Sequence, residues 1–186
     1  MVLTIIALVV VALLLYFVKT QRSLVSLDEL CKNALSQIEV QLNSRWDALL
    51  ALAKTAMQYA KHESETLIKV IEQRRGEQVN TPEAVNEQTS ALNQVMGRLI
   101  AIGEAYPELK ANELFLEMQS GVKQYEENVR MSRMIYNDTA TKMNRMVRQW
   151  PSSIVASMLH FDQKDYLKVD SEEKKQYPNL DEAFKK

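Results

Sequence analysis

Cysteine, glycine and proline are all scarce: the 186 residues include 1, 4 and 4 of them. A single cysteine excludes an internal disulfide framework and any zinc module built on several thiolates. Glycine and proline each make up about 2% of the chain, where about 7% and 5% are usual. A β-sandwich or barrel needs turn signals every ~8–12 residues, and this chain cannot supply them. Nor is there an excess of either charge. Lys+Arg 23 against Asp+Glu 24 gives a net charge of −1, so the basic footprint of a nucleic-acid binder is missing. The phosphate-cradling G-x-x-x-x-G-K-[ST], the dinucleotide G-x-G-x-x-G and the zinc-binding H-E-x-x-H are absent as well. What remains is a helical chain of ordinary polarity, long enough for one core.

The first eighteen residues, MVLTIIALVVVALLLYFV, hold one polar residue, Thr4, and no charged side chain. As a helix they reach about 27 Å, close to the ~30 Å hydrocarbon layer of a bilayer. Lys19 follows and can snorkel its ammonium to the interface, where Tyr16 and Phe17 are also favoured. A cleaved signal peptide is the alternative. It calls for a basic segment before the apolar run and small residues after it; here no Lys or Arg precedes the run, and Tyr-Phe-Val-Lys-Thr-Gln-Arg ends it. Residues 1–18 are therefore read as a retained transmembrane anchor. Lys19, Arg22 and Lys32 all lie C-terminal to it. The positive-inside rule then places the short N-terminus outside and residues 19–186 in the cytoplasm, at the inner membrane. The lone Cys31 fits a reducing compartment.

Between Lys19 and Arg75 there is neither glycine nor proline. Leu27, Cys31, Leu35, Ile38, Leu42, Leu49, Ala53, Ala56, Ala60, Leu67 and Ile71 recur at steps of three and four, or sums of these, the stripe of an amphipathic helix. The polar run Asn43-Ser44-Arg45-Trp46-Asp47 interrupts the stripe and predicts a kink or break there, leaving residues 24–75 as one helix or two. Gly76 reads as a helix stop. Thr81-Pro82-Glu83 reads as a start, with Thr81 as N-cap and Pro82 at the first position. Val85, Gln88, Leu92, Val95, Leu99 and Ile102 form a strict seam. Tyr106-Pro107-Glu108 punctuates again. A last stripe runs Met118, Val122, Tyr125, Val129, Ser132, Tyr136, Thr139, Met143, Met146 and Trp150, ending at Trp150 because Pro151 disfavours helical geometry before it. The expected fold is all-α: a transmembrane helix (1–18), an antiparallel bundle of long helices (19–161) and a charged, partly ordered tail (162–186).

The search for chemistry finds little. His62 and His160 are the only imidazoles. Cys31 and His62 are separated by about 46 Å along a continuous helix, far beyond the ~3 Å that a nucleophile and its base require. His160 approaches Cys31 only if the chain returns toward the membrane, and no orienting acid accompanies the pair. Gln37, Gln41, Asn112, Asn137 and Asp138 read as register-setting or capping residues of a bundle, with a recognition surface as the other reading. No catalytic, cofactor-binding or metal-ligating residue is assigned.

Several blocks taken together resemble the bacterial LemA family: Leu27-Asp28-Glu29-Leu30, Ser36 to Leu42, Arg45, Tyr59-Ala60-Lys61-His62-Glu63, Leu99-Ile100-Ala101, Ala105 to Glu113, Tyr136-Asn137-Asp138 and Trp150-Pro151-Ser152. They run in order from the N-terminal span to about residue 161. The resemblance implies a single-pass bacterial membrane protein with an antiparallel helical bundle and no assigned reaction or cofactor. It also implies accessory work, since family members are often encoded beside membrane zinc metalloproteases or other small membrane proteins. The chain departs from the family at Leu50-Ala51 (commonly Pro-Asn), at Met143-Asn144 (commonly Tyr-Asn) and at His160 (commonly Gly); the first predicts a straighter helix. The expected function is a non-enzymatic, membrane-tethered cytoplasmic scaffold or adaptor that binds a membrane protein, or a self-associating structural element. The alternative is an accessory regulator of a membrane metalloprotease or quality-control system. An enzyme built on Cys31 or His160 is the third and weakest class.

Overall fold

The computed structural model describes residues 1–168. Among them are six helices and no strand: α1 (Val2–Ala56), α2 (Lys61–Arg74), α3 (Pro82–Ala105), α4 (Pro107–Lys110), α5 (Glu113–Arg148) and α6 (Ser152–Met158). The chain is all-helical, as its periodicity requires. α1 is a 55-residue rod, about 83 Å long. Every residue from Met1 to Tyr16 is exposed. Protein packing begins at Phe17 and Thr20, from which the buried stripe Leu24, Cys31, Ala34, Ile38, Leu42, Leu49, Leu52, Ala53 and Ala56 continues to the tip.

No break interrupts α1 at Asn43–Asp47, where that polar run predicts a kink or break. Arg45 and Trp46 turn inward and are 1% exposed. Their polar neighbours receive the returning chain: the Gly76 N–H donates to Asn43 Oδ1 at 3.3 Å, and Arg75 pairs with Asp47. The polar interruption is thus a docking point for a loop. The helix also passes through Leu50-Ala51 without interruption. Its end comes later, at Met57–Ala60, where the Ala56 carbonyl accepts from the N–H groups of both Tyr59 and Ala60. Ala56 and Ala60 are buried and small, so α2 folds back closely along α1. Residues 24–75 therefore form two helices, α1 and α2.

The other punctuation falls largely where expected. Gly76 follows α2 with φ +81, a left-handed conformation that glycine adopts without steric cost. Thr81 Oγ1 accepts from the Ala84 N–H at 3.3 Å and Pro82 opens α3. The seam Val85, Gln88, Leu92, Val95, Leu99 and Ile102 is buried throughout. Pro107 opens only the single turn α4. The long helix α5 starts at Glu113, capped by Asn112, whose Oδ1 accepts from the Phe115 N–H at 3.1 Å.

α5 runs antiparallel to α1 along its packed length. Met118 meets Thr55 near the tip, Glu126 meets Arg45, Asn128 meets Gln41, and Met143 joins Leu24 near the span. α3 rises beside them from Gln88, at the level of Trp46, to Tyr106, beside Tyr59. Val122, Val129, Tyr136, Thr139 and Met143 lie buried on α5 as their spacing predicts. Its end is a correction. The helix stops at Arg148, and Trp150, expected to close the stripe, is 79% exposed. Gln149 leaves helical geometry so that the chain can reverse. Ser152 Oγ then secures the turn by donating to the carbonyls of Met146 and Gln149 at 2.8 and 2.9 Å.

A second, smaller core sits at this end. Val155 and Ala156 of α6 pack with Leu24 and Met143, ringed by Phe17, Leu27, Met146, Val147, Leu159 and Phe161. The chain then returns along α5 in extended form. Asn144 accepts from the Lys164 N–H at 2.7 Å and donates to its carbonyl at 2.9 Å. Asn137 holds Leu167 in the same way at 2.9 and 3.0 Å. Leu167 is 2% exposed within the main core. The first residues of the expected charged tail thus lie against the bundle; from residue 169 onward that tail lies outside the described residues.

Candidate functional site

The polar groups in the interior tie helices together. Arg45 donates to Asn93 of α3 at 2.8 Å and to Glu126 of α5 at 3.3 Å. The adjacent Trp46 indole donates to Gln88 Oε1 at 2.8 Å, and Gln88 in turn donates to Glu77. Arg133 of α5 donates to Asn86 of α3. One turn of α1 thus reaches both α3 and α5, which fixes the register of the long rods. Of the residues singled out from sequence, Asn112 and Asn137 act as cap and clamp, Gln41 accepts from Asn128, and Asp138 pairs with Lys142 at 2.7 Å. Gln37 is exposed. Sequence reasoning missed Arg45, Asn144 and Asp28. Only the place of Arg45 within an otherwise apolar stripe hinted at its burial.

The three candidates for nucleophilic chemistry lie in different settings. Cys31 is 2% exposed. Burial pushes its thiol above the usual range, against the opposing pull of Lys164, so it is held as the poorly nucleophilic thiol. His62 is exposed in the first turn of α2, beyond the end of α1 and so about 38 Å from Cys31 along the rod. The structure does not bring the two together. His160 is exposed just after α6, with φ 58. Among the described residues no group of three or more His, Cys, Asp or Glu side chains is disposed to hold a metal ion.

Two features crowd the end of the bundle next to the apolar span. The first is an open groove of about 540 Å³ between α1 and α5, lined by Arg22, Ser23, Ser26, Leu27, Lys142, Arg145 and Met146. Three cations and two hydroxyls face it over an apolar floor, and no acidic side chain is among its lining residues. The second is a set of bare apolar side chains around α6: Trp150, Ile154 at 54% exposure and Met158 at 64%. Just above them, Asp28 of α1 is clasped by Lys164 at 2.6 Å and Lys32 at 2.8 Å. Burial alone would raise the Asp28 carboxyl, but hydrogen bonds and charge from Lys164 and Lys32 outweigh it and hold the group below its usual range.

The curated protein LemA of Metamycoplasma hominis is 28% identical over 131 residues, which cover 69% of this chain and 59% of that relative. The chain therefore matches less than two thirds of the relative's length. The sequence model of the LemA family matches residues 34–181, a stretch that includes the whole bundle beyond the base of α1 and runs past residue 161, where the resembling blocks end. On that match, this chain belongs to the LemA family.

Proposed function

We propose that the chain is a single-pass membrane protein whose cytoplasmic helical bundle works as a scaffold or adaptor by binding other proteins. One observation carries the reading. α1 is an uninterrupted helix that is bare through Tyr16 and then becomes the central rod of the bundle from Thr20 onward. An apolar helix of that length left bare in water would forfeit roughly 25 cal/mol for each Å² of apolar surface; a bilayer removes that cost. Because rod and anchor are one helix, the bundle is held upright at a fixed height above the membrane. Lys19, Arg22 and Lys32 favour the cytoplasmic side. Self-association is supported by Met131, Met134 and Ile135, which lie at helical spacing on α5 and are 50%, 56% and 50% exposed.

The test has two parts. Carbonate washing of membranes should leave the full chain in the pellet, and its release would remove the anchor. Crosslinking in intact cells should capture a membrane protein or a second copy of the chain. A captured membrane metalloprotease would assign the accessory-regulator role instead, and a chain that captures nothing would sink the adaptor reading.

A further inference from the structure

The geometry points to the base of the bundle as a second membrane contact: Trp150, Ile154 and Met158 dip into the interface of the bilayer that α1 crosses, and the groove of Arg22, Lys142 and Arg145 takes the headgroup of an acidic phospholipid. This rests on the reading of α1 as a membrane span.

Height along α1 decides the matter. If the hydrocarbon layer ends near Val18, Arg22 stands about 6 Å beyond it and Ser26 about 12 Å beyond it. The headgroup layer is about 5–8 Å thick on each side, so Arg22 and Ser23 lie within it and Ser26 about 4 Å outside it. α6 is at the same level because its Val155 and Ala156 share one small core with Leu24 and Met143, and Phe17, a residue of the span itself, packs against that core. Val155 and Ala156 face that small core, which leaves Ile154 and Met158, four residues apart, on the outward side. Trp150 follows Arg145 and Met146 toward the membrane by about one further turn. An element that shares a core with the last turn of a membrane span and leaves its own apolar residues bare meets the lipid interface, where tryptophan is favoured. Arg22 and Arg145 add positive charge at headgroup height, and Lys142, paired with Asp138, completes the rim. Basic residues so placed attract acidic lipid.

The full chain, reconstituted in vesicles, tests this directly. It has two tryptophans, and Trp46 is buried about 42 Å from Val18 along α1, out of reach of lipid. Quenching of the difference in emission between the chain and Trp150→Phe therefore reports Trp150 alone. With lipids brominated near the top of the acyl chain, that emission should fall by about half, and less when the bromines lie deep. Spin-labelled phosphatidylglycerol should be restrained about two-fold more than spin-labelled phosphatidylcholine at low salt, and the preference should vanish in Arg22→Gln/Arg145→Gln. Unquenched Trp150 in a chain that still resists carbonate would overturn the base contact and leave the anchor standing. Extraction by carbonate would overturn the anchor itself. Equal restraint of the two lipids, or a preference abolished by millimolar inorganic phosphate, would remove the lipid headgroup from the groove.

Discussion

Arg45 joins three helices from a position that is 1% exposed, while its carboxylate partner Glu126 keeps 55% of its side chain in water. Its role is therefore geometric more than coulombic, since the solvent around Glu126 screens the pair. Arg45→Ala should lower stability by about 2 kcal/mol through lost packing and the loss of its bonds to α3 and α5, whereas Arg45→Met should cost less than half as much; thermal melts in detergent compare the two. Asp28 gives a pH signature. Its carboxyl is depressed below the ordinary 3.8 by Lys164 and Lys32, so the stability it contributes is present above that value and is lost as pH falls through the lower folded value. Asp28→Asn should lower the melting temperature at neutral pH by the equivalent of about 1 kcal/mol and flatten the acid limb of the curve below about pH 4. His160 holds a left-handed φ of 58, a conformation that costs a side-chain-bearing residue about 1–2 kcal/mol. The resembling family commonly has glycine there. His160→Gly should accordingly raise stability by up to about 1 kcal/mol once the added freedom of the unfolded chain is subtracted, as a denaturation series would record.

Among the elements, the extended segment after α6 is the least regular and the most dependent on side chains. Among the described residues no ladder of backbone bonds holds it; Asn137 and Asn144 imitate a neighbouring strand by offering an amide donor and acceptor to Leu167 and Lys164. Asn137→Ala and Asn144→Ala should each speed exchange of the Leu167 or Lys164 amide about ten-fold while leaving the α5 amides protected, a contrast that hydrogen exchange resolves. The helix boundaries show how far local chemistry reaches. Thr81-Pro82 and Gly76 carry stereochemical instructions that need no tertiary context. The turn at Met57–Ala60 carries none, because it consists of ordinary helix-compatible residues whose reversal is stabilised by α2 packing on α1. Conversely the polar run at Asn43–Asp47 looks like a break and is instead bridged, because α3 and α5 bind Arg45, α3 binds Trp46 and the end of α2 meets Asn43 and Asp47.

For the whole molecule, the consequence of one continuous rod is rigidity between the apolar span and the tip, with α5 bracing α1 from Thr55 down to Leu24. Sidedness then becomes a property of the entire bundle. In a chain carrying Cys31→Ala and Glu117→Cys, a membrane-impermeant maleimide should label inverted vesicles and spare intact spheroplasts, because α5 near Glu117 would face the cytoplasm. Labelling of intact spheroplasts would reverse the orientation. Self-association through the outer face of α5 predicts that Met134→Lys/Ile135→Lys lowers the mass of the detergent-solubilised particle to that of one chain, as light scattering would measure.

The sequence alone determined the helical class, the apolar span, the seam of α3 and most of its punctuation, because helix periodicity, capping and hydropathy act within a few neighbouring residues. Its candidate site was barely legible: Arg22 was visible as a positive charge near the span, but Lys142, Arg145 and Trp150 are more than a hundred residues away, and only Trp150 stood out, as the end of a stripe. Only the folded arrangement of α1, α5 and α6 placed them at one height. It also buried Arg45, turned Trp150 outward and laid residues 162–168 against α5. Those outcomes depend on which surfaces meet across long separations, and the energy of such meetings is written in no local pattern.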